Sequence, residues 1–369
     1  MYINFWYPIA LDKEVTNEAP FRAQIMGLNY VAFRDSQGTA HVLSDTCIHR
    51  GGSLGKGKVK GDCVQCPYHG WQYDGTGKCT TIPTLGDDEK MPARAKVDSY
   101  PVQEKYGIVF AFLGDLPEDE RPPLWDIEEY EDEEWRANEI VVFEVDYYYE
   151  RSVENGLDAA HNEFVHPNQG APGMKQDLRT NPINVEDFAG YGSKFMIPFT
   201  REDVTDGLMG DTMGTDENYL RAGSGHLGPN VLVTWLQFTK DNMFNQYFFE
   251  APIDKNRTRI FFVNMRHFMM EPENDQRIID INMQIAQEDI DVLEALRPIR
   301  TPDTTTKELL TPSDRPVVRY REYLQDWQKR GWRIDQKKIN ATHGDIAYAI
   351  PSPERRNSKG WILDAIPTI

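Results

Sequence analysis

A chain of 369 residues, 40% hydrophobic and 27% charged, has room for two or three domains and can bury a large core without disulfide staples. Its 59 acidic and 40 basic residues give a formal charge of −19, which excludes a general binder of nucleic acid or of anionic membrane surfaces. No apolar run approaches the roughly 18–20 residues of a spanning helix, and the opening MYINFWYPIALDKE lacks the basic start of a secretory signal, so the expected location is the cytoplasm.

Up to about residue 115, short apolar runs such as Tyr30–Phe33, His41–Leu43 and Gly107–Leu113 alternate with Gly, Pro and Asp turns, the pattern of an all-β domain. The four cysteines, Cys47, Cys63, Cys66 and Cys79, all fall in the first quarter of the chain, a clustering that points to metal rather than to a disulfide framework. Cys47-Ile48-His49 and, after sixteen more residues, Cys66-Pro67-Tyr68-His69 each offer one thiol and one imidazole. A zinc finger groups cysteines with cysteines and histidines with histidines. Alternation suits a [2Fe–2S] cluster with two thiolates on one iron and two imidazoles on the other, each loop giving one ligand to each iron. Neutral imidazoles lower the negative charge at their iron and raise its potential, so the histidine side is expected to face outward. Arg50, Lys56, Lys58 and Lys60 lie between the ligand loops, with no acid from Thr46 to Gly61. This basic island is either solvated lysines or a docking patch for an acidic electron donor.

Cys47-x-His49-Arg50-Gly51-Gly52 and Cys66-Pro67-Tyr68-His69-Gly70-Trp71 resemble the Rieske iron–sulfur motif. The form is similar to that of Rieske-type ring-hydroxylating oxygenases, which lack the extra disulfide cysteines of the respiratory version. Cys63 and Cys79 fall outside the pattern and read as structural; a zinc ribbon is the alternative for the four ligands.

From Asp115 to Glu134 eleven acidic residues meet one basic residue, Arg121, and Pro117, Pro122 and Pro123. We read a solvated connector there and place the domain boundary beside it, giving domains 1–115 and 116–369. The second domain opens with a strand, Glu139–Tyr149, then a helical stretch over about 149–165. Strands Ser193–Phe199, Asn230–Thr239, Met243–Pro252 and Arg257–Arg266 follow, the last three as an antiparallel meander. Helices are expected over about Asn274–Leu296 and Pro316–Arg330, and the tail beyond Asp335 is uninformative.

Asn155, Asp158, His161 and His166 lie in the first helical stretch. Asp158 and His161, three apart, share a helix face. His161 and His166, five apart, diverge by about 140° on a regular helix and converge only if it is distorted or ends, as Pro167 suggests. Spacing alone leaves them as ordinary histidines or ligands. On helix 274–296, Asp289 projects from the apolar stripe, within about 60° of Ile278, Ile285, Ala286, Val292, Leu293 and Leu296, whereas Glu288, Asp291 and Glu294 fall about 100° or more away and read as solvent-facing. A carboxylate in that stripe is costly unless paired or bound to metal.

Asn-x(2)-Asp-x(2)-His-x(4)-His after a Rieske motif resembles the mononuclear iron segment of the same oxygenases, and Glu288-Asp289-x-x-Val292-x-Glu294 is similar to their third-ligand segment. The resemblance implies an α+β protein, an all-β Rieske domain followed by a helix-grip catalytic domain. It implies a [2Fe–2S] cluster on Cys47, His49, Cys66 and His69, Fe(II) on His161, His166 and Asp289, and O2 as co-substrate. It implies that Asp158 joins the two sites between neighbouring subunits of a homotrimer, with Asn155 near the iron but not a ligand. The chain has no Gly-rich dinucleotide fingerprint after a strand, so electrons are expected from a separate ferredoxin or NAD(P)H-dependent flavin reductase. The compact length resembles the homotrimeric monooxygenase and demethylase branch, acting on an apolar aromatic, chlorin-like or terpenoid substrate. A cis-dihydroxylating dioxygenase and an electron-transfer Rieske protein are the alternatives. Met209, Met213, Trp235, Phe238, Met243, Phe248 and Phe249 are candidates for the pocket, and His226 sits in a Gly-rich loop, from Gly223 to Gly228, that could cap it. His41, His267 and His343 read as surface or satisfied histidines.

Overall fold

The run Ile108–Leu113, apolar at every position, becomes a strand buried along its whole length because both of its edges are paired, to Phe5–Leu11 and to Val102–Lys105. In the computed structural model, which describes residues 1–86, 88–166, 174–175, 183–198, 200–201, 221–302 and 304–369, this strand anchors the first of two units. That unit comprises 1–123 with 327–369; the second is 124–326.

Three antiparallel sheets build the first unit. One is β1 (Phe5–Leu11), β11 (Ile108–Leu113) and β10 (Val102–Lys105). Another is β2 (Phe21–Ile25), β3 (Leu28–Arg34), β4 (Ala40–Ser44) and β9 (Ser99–Tyr100). The third holds four short strands, β5 (Lys58–Lys60), β6 (Cys63–Gln65), β7 (Gln72–Asp74) and β8 (Cys79–Thr81).

The sequence reading placed the whole of 116–369 in one domain; the compact units divide differently. Residues 327–369 return to the first unit for two physical reasons. The Trp327 indole is fully buried against Phe5 (ring centroids 4.7 Å apart) and Tyr2 (6.0 Å). Asp98, wholly buried, accepts from Arg355 Nε and Nη2 (2.7 Å each) and from the Ser352 hydroxyl (2.9 Å). A buried carboxylate needs such partners, and the tail supplies them.

In the second unit an eight-stranded antiparallel sheet runs β12 (Arg136–Ala137) and β13 (Val141–Val145), both on β21 (Thr258–Arg266), then β20 (Met243–Pro252), β19 (Val231–Gln237), β18 (Arg221–Leu227), β16 (Gly192–Pro198) and β15 (Glu186–Phe188). A separate ribbon pairs β14 (Met174–Lys175) with β17 (Thr200–Arg201). Helices α1 (Tyr149–Leu157), α2 (Asn162–Val165) and α3 (Asp275–Leu293) lie beside the sheet, and α4 (Arg315–Lys329) follows. The meander is in the expected order, joined to a strand that sequence reading took for a loop: the Gly-rich segment with His226 is β18. His226 is fully buried there, its Nδ1 on the Gly228 carbonyl (3.1 Å) and its ring edge-on to Tyr320 and Tyr323. Gly225 explains why small residues dominate: a Cβ there would sit 2.9 Å from the Trp235 ring.

The acidic connector is more than a solvated loop. Leu124, Trp125 and Ile127 are buried, and Glu129 accepts from the Tyr247 hydroxyl (2.5 Å) and from Asn245 Nδ2 (2.6 Å). Among the described residues no helix is long and apolar enough to cross a membrane.

Candidate metal centres and cavity

The two cysteine–histidine loops of the first unit repeat one backbone pattern. Cys47 N–H donates to the Gly52 carbonyl (2.8 Å) and Gly51 N–H to the Cys47 carbonyl (2.9 Å). Cys66 N–H donates to the Trp71 carbonyl (2.8 Å) and Gly70 N–H to the Cys66 carbonyl (3.0 Å). Gly51 and Gly70 take φ of +72° and +74°, a left-handed turn that glycine adopts without strain. Both cysteines are buried and face one spot: a Cβ on Gly52 would meet Cys66 Sγ at 2.9 Å and Cys47 Cβ at 4.0 Å. The His49 and His69 rings lie 4.4 Å apart, and His49 stacks on Trp71 at 4.7 Å. Thiols inward and imidazoles towards solvent is the donor set a mixed-ligand [2Fe–2S] cluster requires, and these four side chains fit it. Burial pushes the Cys47 thiol up, opposed by the Tyr73 hydroxyl at 3.2 Å from its sulfur. Cys79, outside the set, is pushed up by burial to about 11, an inert thiol. Cys63 rests 3.4 Å from Thr80 Oγ1. Lys56, Lys58, Lys60 and Arg50 are exposed around these loops.

The second set sits in the other unit. Helix α1 lies close on the sheet at Gly156, where a Cβ would come within 2.2 Å of Leu232. Its far side is held by a buried ion network: Arg321 binds both oxygens of Glu154 (2.6 and 2.9 Å), and Arg151 reaches Glu154 (3.2 Å) and Glu308 (3.0 Å). The helix ends at Leu157, with Asp158 in extended backbone at φ −90°, ψ 104°. Asp158 and His161 therefore do not share a helix face as their spacing suggested. His161 and His166 occupy the two caps of α2, and this break, rather than one bent helix, lets them converge. Pro167 lies outside the described residues.

His161, His166 and Asp289 bring their ligand atoms within 4.8 Å of one another, the one such group of three among the described residues. Asp289 Oδ1 is 3.1 Å from His166 Nε2 and 3.5 Å from His161 Nε2. Each Nδ1 is occupied elsewhere: that of His161 by the Asp158 carbonyl, that of His166 by Glu288 Oε2 at 2.9 Å. Those bonds place the proton on Nδ1 and leave Nε2 free to ligate, the arrangement usual for metal-bound histidine. Asn155 Nδ2 donates to Asp289 Oδ1 (2.9 Å). Burial opposes charge on Asp289, yet the two imidazoles win and hold its carboxyl well below the usual range. Burial alone would lower His166; Asp289 and Glu288 raise it. Two neutral imidazoles and one ionised carboxylate fit a facial-triad iron site. Glu288, expected to face solvent, is a positioning partner instead; its adjacency to Asp289 was the available signal. Val292, expected near the apolar stripe, is 42% exposed.

This site opens on a cavity walled by Phe143, Phe248, Ile260 and Phe262 on one side and by Phe195, Leu236 and Phe238 on the other. Of the pocket candidates, Phe238 and Phe248 line it. Trp235, Met243 and Phe249 do not, because strand alternation turns them to the opposite face, where Trp235 meets Trp125 at 6.0 Å. Met209 and Met213 lie outside the described residues. Away from both sites, His41 pairs with Asp35 (2.9 Å), His267 bonds the Asp241 carbonyl (2.7 Å), and His343 is exposed.

Comparison with known families decides the assignment. Residues 5–101 match the Rieske [2Fe-2S] domain, and residues 145–330, half of the chain, match the vanillate O-demethylase oxygenase C-terminal domain. The chain belongs to the Rieske oxygenases. Membership brings a Rieske [2Fe–2S] cluster and a mononuclear iron as cofactors. Among similar proteins, the oxygenase component of 3-ketosteroid-9-alpha-monooxygenase from Rhodococcus rhodochrous is 31% identical over 164 residues, 44% of this chain and 43% of that one. The toluene-4-sulfonate monooxygenase system iron-sulfur subunit TsaM1 from Comamonas testosteroni is 31% identical over 189 residues, 51% of this chain and 53% of that one. The chain thus spans about half the length of these relatives. The structure of NdmA from Pseudomonas putida CBB5 with caffeine superposes with a TM-score of 0.71 over 89% of this chain and 91% of that one, at 23% identity, a likeness of fold.

Proposed function

We propose that this chain is the oxygenase component of a multicomponent Rieske non-haem iron system that hydroxylates or oxidatively demethylates a largely apolar small molecule. In this reading Cys47, His49, Cys66 and His69 hold the cluster, and His161, His166 and Asp289 hold Fe(II). The observation that carries it is the convergence of two imidazole Nε2 atoms on one half-buried carboxylate in the wall of an apolar cavity. When bound, the two centres supply electron storage and O2 activation. The chain's own residues orient and exclude: Asp158 and Glu288 set the imidazole tautomers, Asn155 fixes the Asp289 carboxylate, and the aromatic walls keep water from the reacting position.

Electrons come from a separate ferredoxin or NAD(P)H-dependent flavin reductase, for which the exposed lysines around the cluster loops offer a complementary surface. The Asp158 carboxylate accepts from the Ala160 N–H (2.8 Å) and from no side chain among the described residues, which suits a bridge to a neighbouring subunit's imidazole in a homotrimer. The relatives are named monooxygenases of a ketosteroid and an arenesulfonate, which favours monooxygenation over cis-dihydroxylation. The proposed location is the cytoplasm. Anaerobic reconstitution should yield about three irons per chain and a rhombic signal from a mixed-ligand cluster on reduction. With a surrogate reductase, one labelled oxygen atom from O2 should reach the product. Iron stopping at two per chain would favour an electron-transfer protein, and zinc would overturn the reading.

A further inference from the structure

One row of polar side chains crosses the cavity face of the sheet in the second unit. Ser224 stands opposite Thr234, Thr234 opposite Gln246, and Gln246 opposite Asn264. Residues directly opposite on antiparallel strands share a face. The neighbouring rows carry Ala222, Leu236, Phe244 and Arg266 on one side and His226, Leu232, Phe248 and Phe262 on the other, with Arg266 neutralised by Asp275. Helix α3 brings Asn282 to the polar row. Thr234 Oγ1 donates to Gln246 Oε1 (2.8 Å), and Gln246 Nε2 donates to Asn282 Oδ1 (3.1 Å). The chain of bonds stops there. Asn282 Nδ2 and Asn264 Oδ1 have no partner among the described residues, although the two residues are 5% and 3% exposed.

Buried amides left unbonded are costly and rare. A relay of hydroxyl and amide groups that ends on one, in the wall of a cavity, suits a group that the cavity receives. Ser224, Thr234, Gln246 and Asn282 all line it. The row contains dipoles and no ionised side chain. Arg221, the one lysine or arginine among the described lining residues, stands opposite Gln237, out of phase with the row.

We propose that this row orients the substrate, and that the substrate is neutral and mainly apolar with a single ketone or hydroxyl oxygen on the edge remote from the oxidised position. The word substrate rests on the oxygenase reading; the recognition chemistry does not. Asn282 and Asp289 are seven residues apart on α3, two turns or about 10 Å along the axis, and Ile285 and Ala286 line the cavity between them. That span fits a body of two or three fused rings. Among the described residues the row itself offers an anion no cation to replace its hydration, so a carboxylate is selected against at that edge.

The test is calorimetric binding of three matched probes to the anaerobic holoenzyme without reductant: tetralin, tetralone and tetralin carboxylate. Tetralone should bind about tenfold more tightly than tetralin, with the carboxylate weakest. In Asn282→Leu, and separately in Gln246→Leu, tetralone should fall to the level of tetralin while tetralin stays within about twofold of its original affinity. Tetralone binding no tighter than tetralin, the carboxylate binding best, or the ketone preference surviving in both variants overturns the proposal. Iron content on the same samples keeps the two readings apart. Full iron with no ketone preference removes the role of the row alone, whereas missing mononuclear iron removes the oxygenase reading whatever the probes do.

Discussion

The two regions proposed to hold metal are built in opposite ways. In the first unit each loop is a short contiguous segment that closes on itself, with the same pair of backbone bonds after Cys47 and after Cys66. In the second unit the carboxylate and the residue that steadies it, Asp289 and Asn155, are 134 residues apart along the chain. The first arrangement depends on local turn chemistry and two left-handed glycines. The second depends on a helix break, on α1 lying close to the sheet at Gly156, and on α3 arriving with one particular face. A local design survives damage elsewhere in the fold, and a distributed one does not.

That contrast can be broken most directly at Asp289. Asp289→Ala should remove the mononuclear iron, lowering iron by about one per chain and turnover by at least about 100-fold, while the cluster's visible spectrum stays intact. Loss of the cluster as well would show that the two regions are not independent. Asp158→Asn separates ligation from communication: both metals should remain, as read by iron analysis, and turnover should fall by about 100-fold. Full activity in that variant would contradict the bridging role. On the proposed cluster side, the Tyr73 hydroxyl lies against Cys47 Sγ and would stabilise the more negative reduced state of a cluster held there. Tyr73→Phe should lower the reduction potential by roughly 30–60 mV in spectroelectrochemical titration, with iron content unchanged.

The last expected effect concerns stability rather than metal or turnover, in the second unit alone. Burial, only partly opposed by the Gly228 carbonyl, pushes His226 down to about 4. Its folded pKa therefore lies below its unfolded value of about 6.5, so the unfolded chain takes up the proton first as pH falls. The stability is fully present above pH about 6.5 and is lost progressively as pH falls towards 4, by up to roughly 3 kcal/mol. His226→Gln should flatten denaturant midpoints measured across that window; an unchanged slope would mean that His226 is not the group responsible.

Legibility follows the same division. The four proposed cluster ligands are legible as a set because the alternation of Cys and His within each loop is itself the chemistry. His161 and His166 were ambiguous on spacing, since a regular helix points them apart, and the break at Asp158 that reconciles them has no strong local signal. Asp289 was visible as a carboxylate in an apolar stripe, but its neighbour Glu288 was assigned to solvent by the same wheel. Helix angle does not reveal that His166 reaches across to it. Asn282 lies on the Asp289 face, seven residues earlier, and a search of that face for uncharged polar groups would have found it. The strand with His226 reads as a loop because its glycines, of which Gly225 leaves room for the Trp235 ring, mimic turn residues.

Composition and motif determined the chemistry in outline: an acidic chain, a mixed thiol–imidazole donor set near its start, and two histidines with a later carboxylate. Those are properties of residue type and short-range spacing, and they hold before any folding. Tertiary structure alone decided where the last forty-three residues go (327–369), which aromatic side chains face the cavity, and which polar groups are left unpaired inside it. Each of those depends on strand register and on burial, and a shift of one residue would reverse every inward-facing side chain on the strand concerned.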